Sequence, residues 1–475
     1  MMISAIIASK EQAIMGRNRF TRLIYLATLV AMLVAVGLGW QRTDTFERER
    51  AAAAEHDKEI WLNQGTKNPH SAAHFSRYAF KPIPTLSTFE PGVTDYTGLA
   101  VWMEAHRRNP AAFRYAEGSG DLAKFITLNP AWIMQVVLPL IIILLLFSSY
   151  AGEREDGTLR QLLSHGVSLN AIFQGKMKAA LLIVLKLLVP LVAIIVIATF
   201  IFDTGAEQSD LWLRLIALIT AYSLYLIIFS LIAIGVSARS SSRRSAAISL
   251  FTLWFLMIIV APRFASDVAT FSTPQPDGYQ INQELRKAGG AYWGDTEYQE
   301  KTKQALLDKH GVTDVKDLPI NYEAYALQLS EEHADPLFDK VYAGLSATHS
   351  RQDTVINILS TLSPATAIKQ LSAGLAGTDR LHHEAFAWEA ELHRRHIIKQ
   401  MNDDMMYNGV EAGYAYTTDE ALWREIADFD GQPPLLTSVF SQYFLMIGVL
   451  ILWAVMAYLF ARQSTLRIAD LEAVK

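Results

Sequence analysis

The stretch "AWIMQVVLPLIIILLLFSSYAGEREDGTLRQLLSHGVS", residues 131–168, joins a long apolar run directly to a charged segment. The apolar run, 131–150, has the roughly 20 residues that a helix needs to cross a bilayer core of about 30 Å. Charged residues follow without a break at 153–156, and an apolar pattern resumes at Leu159. The stretch therefore predicts a membrane span that leaves the bilayer directly into a short, ordered turn.

This turn carries the signals of a second, short helix. Gly157 favours the left-handed conformation in which many helices end. Thr158, followed three residues later by Gln161, matches a capping box. Three leucines at helical spacing form one apolar face: Leu159, Leu162 and Leu163. The expected end of this helix is Gly166, and the expected cap of the next one is Ser168 or Asn170. We therefore expect a short helix across one mouth of the protein, with a plain polar loop as the alternative.

The composition excludes several classes of protein. The chain has 475 residues, 51% of them hydrophobic, and a mean hydropathy of +0.18. These values, with several long apolar runs, indicate a membrane protein rather than a single soluble core. A net charge of −5 excludes a generally basic protein that coats nucleic acid. The absence of cysteine excludes disulfides, thiolate zinc sites and cysteine nucleophiles.

Six apolar stretches are long enough to cross a membrane. They lie at 21–40, 131–150, 179–202, 211–236, 246–265 and 437–460. The first resembles a signal peptide in having Arg17, Arg19 and Arg22 before it. Its apolar run is long and no clear small-residue cleavage pattern follows, so we expect an uncleaved anchor. The fold class predicted is a mainly α membrane protein with six transmembrane helices.

Basic residues near the span ends predict the orientation, because cytoplasmic loops are enriched in Lys and Arg. Four groups fall on one side: those before the first span, those at 151–178, those at 239–244 and those in the tail 461–475. This side is predicted to be the cytoplasm, with both termini inside. Two long segments, 41–130 and 266–436, then lie outside.

The two outer segments differ in composition. Segment 41–130 begins helical and charged and becomes rich in Pro and aromatic residues, whereas segment 266–436 has mainly helical patterns. Without disulfides, each needs an apolar core to stay folded. We therefore expect the two to pack into one composite domain. Six aromatic residues are expected in its core: Phe75, Tyr78, Phe80, Trp102, Phe113 and Trp388.

Several motifs resemble one family of transporters. "EREDGTLRQLLSHGVS" resembles the coupling segment of ABC-2 type permeases, and "ISAIIASKEQAIMGRNRF" is similar to the amphipathic elbow helix of that family, 1–20 here. "AAHFSRYAFKP", "VWMEAHRRNPAAFR" and "LSPATAIKQLSAGLAGTDRLHHEAF" resemble a subfamily with large extracytoplasmic segments after spans one and five. The resemblance implies the six-helix ABC-2 (type V exporter-like) fold with a mostly helical extracytoplasmic domain.

The resemblance also implies a function and partners. The chain would be the permease subunit of an ATP-driven exporter in the bacterial inner membrane, paired with a second permease copy or a related chain. Cytoplasmic ATPase subunits would carry ATP and Mg²⁺. The alternative is a mechanotransmission subunit that acts on a periplasmic partner without moving cargo. The residues implied in ATPase coupling are Glu153, Arg154, Glu155, Asp156, Gly157, Thr158, Leu159, Leu162 and Leu163, and the elbow helix adds Lys10 and Glu11. Its isoleucines Ile3, Ile6, Ile7 and Ile14 are expected to face lipid.

The residues themselves predict no nucleotide site in this chain. A P-loop needs Gly-x4-Gly-Lys followed by Ser or Thr. The Gly-Lys pair at Gly175 and Lys176 is followed by Met177 and has Asn170 at the first glycine position. We therefore expect a non-catalytic subunit without its own cofactor. The residues also leave the cargo open among lipid, peptide, metal chelate and small hydrophobic compounds.

Two further sets of residues are candidate sites, each with a structural alternative. On a helix, His382, Glu389, His393 and His396 share one face and form a candidate Zn²⁺ or Cu²⁺ site; a solvated face is the alternative, because Arg394, Arg395 and Lys399 are near. The candidate transport-path residues are Lys186, Pro190, Phe251, Trp254 and Phe255. For these, snorkelling, packing or lipid contact is the alternative. Pro139, Pro190 and Pro262 are expected to kink their spans.

Overall fold

The computed structural model describes residues 2–75, 77–114, 117, 128–202 and 208–468. Six of its helices are long and apolar enough to cross a membrane, so the predicted number of spans is confirmed. The protein is a mainly α, multi-pass membrane protein. Ser119, in the outer segment 41–130, and residues 469–475 of the predicted tail lie outside the described residues.

The helices and strands are named here in chain order. The N-terminal half contains α1 (Met2–Arg17), α2 (Arg19–Leu62), α3 (Pro69–Ala73), β1 (Tyr78–Phe80), β2 (Ala100–Trp102), α4 (Pro130–Glu155), α5 (Thr158–Ser164), α6 (Leu169–Phe202) and α7 (Gln208–Arg239). The C-terminal half contains α8 (Arg243–Ser272), α9 (Gly278–Gly289), α10 (Ala291–Gly294), α11 (Thr296–His310), α12 (Tyr322–Leu359), α13 (Pro364–Ala376), α14 (Arg380–Asn408), α15 (Glu420–Glu425) and α16 (Leu436–Leu466). The candidate spans are α2, α4, α6, α7, α8 and α16.

Helix α2 is much longer than the span predicted at 21–40. It runs for 44 residues from Arg19 to Leu62, which corresponds to about 66 Å at 1.5 Å per residue. Its second half is charged and contains neither Gly nor Pro after residue 39. With no residue to interrupt the backbone hydrogen bonds, the helix continues from the bundle into the outer domain.

Helices α4 and α7 form the centre of the bundle. In each of them 61% of the most apolar 18-residue stretch is buried, against 22–33% in the other four spans. Tyr150, Tyr222 and Tyr225 are fully buried between these helices and their neighbours. The remaining spans carry exposed apolar faces, as expected of helices that contact lipid.

The two outer segments pack into one domain, as predicted. Their shared core combines residues of 61–111 with residues of 386–426. The Trp61 indole donates to the Trp423 carbonyl at 2.9 Å, and the Trp423 indole donates to the Gly65 carbonyl at 3.1 Å. The strands β1 and β2 pair antiparallel with Tyr78 opposite Trp102. Both segments therefore contribute residues to one shared hydrophobic core.

The predicted aromatic core of this domain is wrong. Phe75 is 65% exposed, Phe113 62% and Trp388 41%, and Tyr78, Phe80 and Trp102 are only half-buried. The buried residues are instead mostly Ala, Met and Ile, together with Trp61 and Trp423. Composition alone indicates that aromatic residues are available for a core, but the face that they occupy depends on helix packing.

Helix α13 departs from the predicted division between outer domain and bundle. It lies within the segment 266–436, yet Ala367, Ile368 and Leu371 belong to the same core as α4, α7 and α16. Arg214 on α7 donates to the Gly374 and Leu375 carbonyls at 3.3 and 3.2 Å, which satisfies the C-terminal end of α13. The domain is therefore joined to the bundle through a buried helix.

Candidate functional site

The segment 147–168, named here the turn segment, joins α4 to α6 at one end of the bundle, called the loop end. Gly157 has φ +74° and Gly166 has φ +75°, so both glycines occupy the left-handed positions that the sequence predicted. A Cβ atom at Gly157 would meet nothing within 4 Å. Gly157 is therefore required for its backbone conformation and not for space. Ser168 accepts from the Ala171 amide at 3.2 Å and caps α6.

The predicted capping box is wrong. Gly157 itself occupies the cap position of α5 and makes no side-chain cap. The Thr158 hydroxyl instead donates back to the Glu153 carbonyl at 3.3 Å. Thr158 is instead the first residue of the helix, one position past the cap. This bond ties α5 to the last turn of α4.

The two faces of α5 have different environments. Leu159 is 1% exposed, and Leu162 and Leu163 pack against the main core. The opposite face presents Gln161 and Ser164 to the surroundings. The result is a short helix seated on the bundle by its leucines, with an exposed polar face.

Four charged residues at the loop end hold the turn segment against α1, and we name them the loop-end cluster: Lys10, Glu11, Glu153 and Lys176. The Lys176 ammonium is 1% exposed and lies 2.8 Å from Glu11 and 3.0 Å from Glu153. It also donates to the Ser149 carbonyl at 2.7 Å. Lys10 pairs with Glu153. Two acids and two bases thus neutralise one another where α1, α4 and α6 meet.

Glu153, one of the residues implied in ATPase coupling, is paired inside the chain, and its side chain is 10% exposed. The neighbouring charged residues are also used internally. Arg154 donates to the Ala238 carbonyl at 2.9 Å, and Glu155 pairs with Arg243 at 2.7 Å. A hydrogen bond from Arg243 lowers the pKa of Asp156. These contacts fasten the turn segment to the junction of α7 and α8.

Helices α1 and α6 approach each other closely at Gly175. Ile7, which was expected to face lipid, is buried at this contact. A Cβ atom at Gly175 would lie 2.6 Å from the Cβ of Ile7, so Gly175 lets the two helices touch. Ile7 is 5% exposed and faces α6, not lipid. The other three isoleucines of α1 remain exposed, as predicted: Ile3, Ile6 and Ile14.

Ser237 is a residue that the sequence reasoning missed. Its hydroxyl accepts from the amides of Tyr150 and Ala151 at 3.0 and 3.1 Å and donates to the Phe147 carbonyl at 2.7 Å. It thereby satisfies the backbone where α4 is interrupted at 147–150. A serine in an apolar span is a weak signal, because most such hydroxyls bond their own helix.

The candidate transport-path residues do not converge on one place. Lys186 bonds the Gln12 side chain of α1, which fits a lysine that reaches the end of the bundle. Pro190 lies inside α6, whose helical hydrogen bonding continues past it. Phe251 and Phe255 are 53% and 45% exposed. The structure therefore groups these side chains by helix face and not around a common cavity.

Trp254 is different, because it connects two spans, α4 and α8, that each contain a π-helical turn. A π-helical turn occupies Ile133–Val137 before Pro139 in α4, and another occupies Leu256–Val260 before Pro262 in α8. The Trp254 indole donates to the Val136 carbonyl at 3.1 Å. Single π-turns inside α-helices occur often at functional sites.

Side chains satisfy other carbonyls that these π-turns leave open. The Tyr225 hydroxyl donates to the Gln135 carbonyl at 2.7 Å, and the Ser363 hydroxyl donates to the Met257 carbonyl at 2.6 Å. Proline lacks an amide N–H, so a carbonyl one turn earlier loses its helical partner. Pro139 and Pro262 thus each follow a π-turn whose carbonyls are satisfied by side chains, whereas Pro190 lies within a continuous α-helix.

The four predicted metal ligands on α14 lie too far apart to share one ion. His382 contacts Asp379 at 2.6 Å, His393 contacts the Ala427 carbonyl at 3.2 Å, and His396 is exposed. A helix rises about 1.5 Å per residue, so the stripe from His382 to His396, including Glu389, extends over about 21 Å. Residues that share one face of a helix can still be far apart along the helix axis.

A different histidine group does converge in the outer domain. Among the described residues, His70, His74 and His106 are the three potential ligands whose donor atoms all lie within 4.8 Å of one another. His70 and His106 approach through their Nε2 atoms at 3.0 Å. The spacing of His70 and His74 by one helical turn was the available signal, but nothing in the sequence places His106 beside them.

Comparison with known families places two matches on the chain. Residues 97–276 are similar to a protein of unknown function, DUF2705, and residues 280–432 to a domain of unknown function, DUF3526. The first range covers most of the bundle with the turn segment, and the second covers most of the outer domain. A search of curated proteins found no match.

Proposed function

We propose that this chain is the transmembrane permease subunit of an ABC-2 type exporter in the bacterial inner membrane, with both termini in the cytoplasm. The observation that carries the proposal is α5, a short helix immobilised at one end of the bundle with its polar face exposed. A cytoplasmic ATPase would seat on this face. The residues offered to it are those around Gln161 and Ser164, since Glu153 is buried in the loop-end cluster.

The contacts of α5 with the bundle would allow this helix to transmit a displacement to the membrane spans. Thr158 ties it to α4, and its leucines pack into the bundle. The loop-end cluster and the Arg243 pairs tie the preceding turn to α1, α6, α7 and α8. A push on α5 therefore reaches five helices without passing through a flexible link.

The two π-turns would supply the movement. Both lie in spans, α4 and α8, and Trp254 of one span bonds the π-turn of the other. A switch between π and α registers shifts the rest of a helix by rotation and a small translation. We propose that ATP binding in the partner drives this change, which opens a path between two permease copies lined by α4 and α8. ATP and Mg²⁺ belong to the partner ATPase.

The second candidate, mechanotransmission to a periplasmic partner, has support from α2. This helix is continuous from the loop end into the core of the outer domain, where Trp61 contacts Trp423. A rigid element of about 66 Å can carry displacement to the domain even when no cargo moves. In this function the exposed aromatic residues of the domain, such as Phe75 and Phe113, are surfaces offered to the partner.

Variants of Gly157 test the proposal. Gly157→Val forbids the left-handed conformation, whereas Gly157→Asn tolerates it at small cost, and a Cβ atom at this position meets no described residue within 4 Å. The tagged chain is purified from native membranes, and ATP hydrolysis that co-purifies with it is measured. We expect Gly157→Val to lose at least about 10-fold of this activity, the equivalent of 1.4 kcal/mol in complex stability, and Gly157→Asn to keep most of it.

A matched pair of surface variants separates docking from folding. Ser164→Arg places bulk on the exposed face of α5, and Thr417→Arg places the same bulk on an exposed position of the outer domain. Loss of ATPase activity only with Ser164→Arg supports docking at α5. Equal activity in all four variants contradicts the proposal. Hydrolysis by reconstituted vesicles that accumulate no lipid, peptide or small hydrophobic compound favours the second candidate.

A further inference from the structure

The three histidines of the outer domain are held by backbone features that fix their positions. His70 lies in α3 and His74 caps its C-terminal end. Asn68 caps the other end, accepting from the Ser71 amide at 3.1 Å. His106 has φ +62°, a left-handed conformation that is strained in a non-glycine residue. The Glu331 carboxylate holds this turn by accepting from the His106 amide at 2.7 Å.

A chain of side-chain hydrogen bonds fixes the tautomer of His70. Gln328 donates its amide N–H to the Glu332 carboxylate at 2.9 Å, so the Gln328 oxygen is free to accept from the Asn402 amide at 3.1 Å. The Asn402 oxygen therefore faces His70 Nδ1 at 3.1 Å. An oxygen can only accept, so His70 Nδ1 carries the proton. The Nε2 atom of neutral His70 is then a lone pair directed at His106.

His106 is oriented in the same way by a carboxylate. Its Nδ1 atom lies 2.6 Å from Glu331. The same carboxylate pairs with Arg394 at 3.1 Å. The carboxylate therefore accepts the hydrogen bond that the His106 Nδ1–H donates. In neutral His106 the Nε2 atom is therefore also a lone pair.

Two lone pairs that face each other at 3.0 Å repel unless a cation lies between them. A shared proton would meet this need for two histidines alone. The third histidine, His74, adds a further ligand from the exposed side, and a shared proton makes no use of it.

We propose that His70, His74 and His106 bind one divalent transition-metal ion, for which Zn²⁺ is the best match. Neutral imidazole suits zinc, and two nitrogens bound tetrahedrally at about 2.05 Å lie about 3.3 Å apart, close to the 3.0 Å between His70 and His106. The exposed His74 closes the remaining distance by rotating its side chain. Three histidines leave a fourth position for water.

The surroundings of the site match those of metal ligands in general. Such histidines usually donate their other ring N–H to a carboxylate or an oxygen acceptor, which orients the ring. Glu331 and Asn402 do this for His106 and His70. The ligands belong to the first outer segment and these two supporting residues to the second. Bound metal would therefore join α3 to the turn at His106 within the first outer segment, and would act on the second segment only through Glu331 and Asn402.

Zinc binding by the full-length chain in detergent tests the inference. After treatment with a chelator, the protein is titrated with Zn²⁺ alone, followed by calorimetry and metal analysis. We expect one Zn²⁺ per chain. His74→Ala and His74→Gln each remove one exposed ligand and should weaken binding by at least about 10-fold. His396→Ala is the matched control, an exposed histidine of α14, and should bind as the unchanged protein does.

The readouts separate metal binding from a structural role. Zn²⁺ should raise the unfolding temperature of the unchanged protein and of His396→Ala, and should raise that of the His74 variants by less at the same Zn²⁺ concentration. Without metal, all four proteins should unfold at the same temperature. Failure of the unchanged protein to bind one Zn²⁺ overturns the inference, as does equal binding by His74→Ala. Equal losses in His74→Ala and His396→Ala would indicate scattered surface sites and overturn it too.

Discussion

The two ends of the helix bundle hold their buried polar groups in different ways. At the loop end, Lys176 pairs with Glu11 and Glu153, and charges of opposite sign meet. At the other end, called the domain end, Gln135 donates to Glu90 at 2.9 Å and to the Tyr222 hydroxyl at 2.9 Å. Tyr222 in turn contacts Ser372 at 2.8 Å. This second network contains one carboxyl and no paired cation among these four groups.

The two ends therefore differ in how they tolerate the loss of a side chain. A buried charge depends on its partner, because an unpaired ion inside a protein is strongly disfavoured. A buried network of amide, hydroxyl and carboxyl groups depends on hydrogen bonds, each of smaller net value. Burial raises the pKa of Glu90, which moves this carboxyl toward its neutral form. The loop end is therefore the more sensitive of the two to loss of a single side chain.

The largest effect is expected from Lys176→Met. This change leaves the Glu11 and Glu153 carboxylates short of their buried cation, which costs about 3–5 kcal/mol. The free energy of unfolding is measured by denaturant titration in detergent. Lys178→Met is the control, since Lys178 is exposed and bonds only the Ser4 hydroxyl among its described contacts.

A second substitution sharpens this test. Lys176→Met with Glu11→Gln removes one cation and one anion, so the Lys10 and Glu153 pair remains balanced. This double variant should recover part of the lost stability, and the coupling between the two changes is the measure of their interaction. If the double variant is less stable than Lys176→Met, the loop-end cluster is not held by charge balance.

An intermediate effect is expected at the domain end. Gln135→Leu removes both donated hydrogen bonds and leaves Glu90 buried with an unsatisfied oxygen, at a cost of about 1–3 kcal/mol. Glu90→Gln keeps the shape of the carboxyl group in its neutral form and should cost about 1 kcal/mol or less. The same unfolding measurement applies. A loss from Glu90→Gln that equals that of Lys176→Met would remove the distinction between the two ends.

The smallest effect concerns an ion pair at the domain surface. Arg380 bonds Glu384 at 2.5 Å, and Ser346 donates to the same carboxylate at 2.9 Å. Burial raises the pKa of Glu384, but hydrogen bonds from His349 and Arg380 lower it more, from 4.5 to about 2. The folded pKa lies below the ordinary value. This group therefore stabilises the fold above about pH 4.5, and its contribution is lost as the pH falls toward 2.

Arg380→Gln should weaken this pair by about 0.5–1 kcal/mol at neutral pH, because it is partly exposed. Unfolding on acidification should then begin at a higher pH, which circular dichroism follows. Arg424→Gln removes an exposed pair with Glu420 and serves as the control. An acid transition shifted equally by both variants would show that the Glu384 pair has no special role.

Two local features of the turn segment were predictable from the sequence, and their contacts were not. The left-handed glycines 157 and 166 follow from an αL stop after a helical pattern, and the structure has both. The buried position of Glu153 depends on Lys10 and Lys176, which are 143 and 23 residues away in the sequence. A run of charged residues after a span normally faces water, so its sequence indicated an exposed surface.

For the histidines, too, local patterns could be predicted from the sequence and tertiary contacts could not. The stripe on α14 was visible in the sequence because helical periodicity is local, but periodicity gives the face and ignores the distance along the axis. The group formed by His70, His74 and His106 joins α3 to a turn 32 residues later. The supports of this group, Glu331 and Asn402, come from the other outer segment. Only the packing of α3, α12 and α14 brings them together.

From the sequence alone we could predict the six spans, the short helix of the turn segment, the absence of cysteine chemistry and the need for a shared outer core. Each follows from composition or from periodicity over fewer than about 20 residues. The tertiary structure decided which charges are paired, which apolar residues form the domain core, where α13 packs and which histidines meet. These are contacts between distant positions, and their free energies depend on the burial and geometry that packing alone creates.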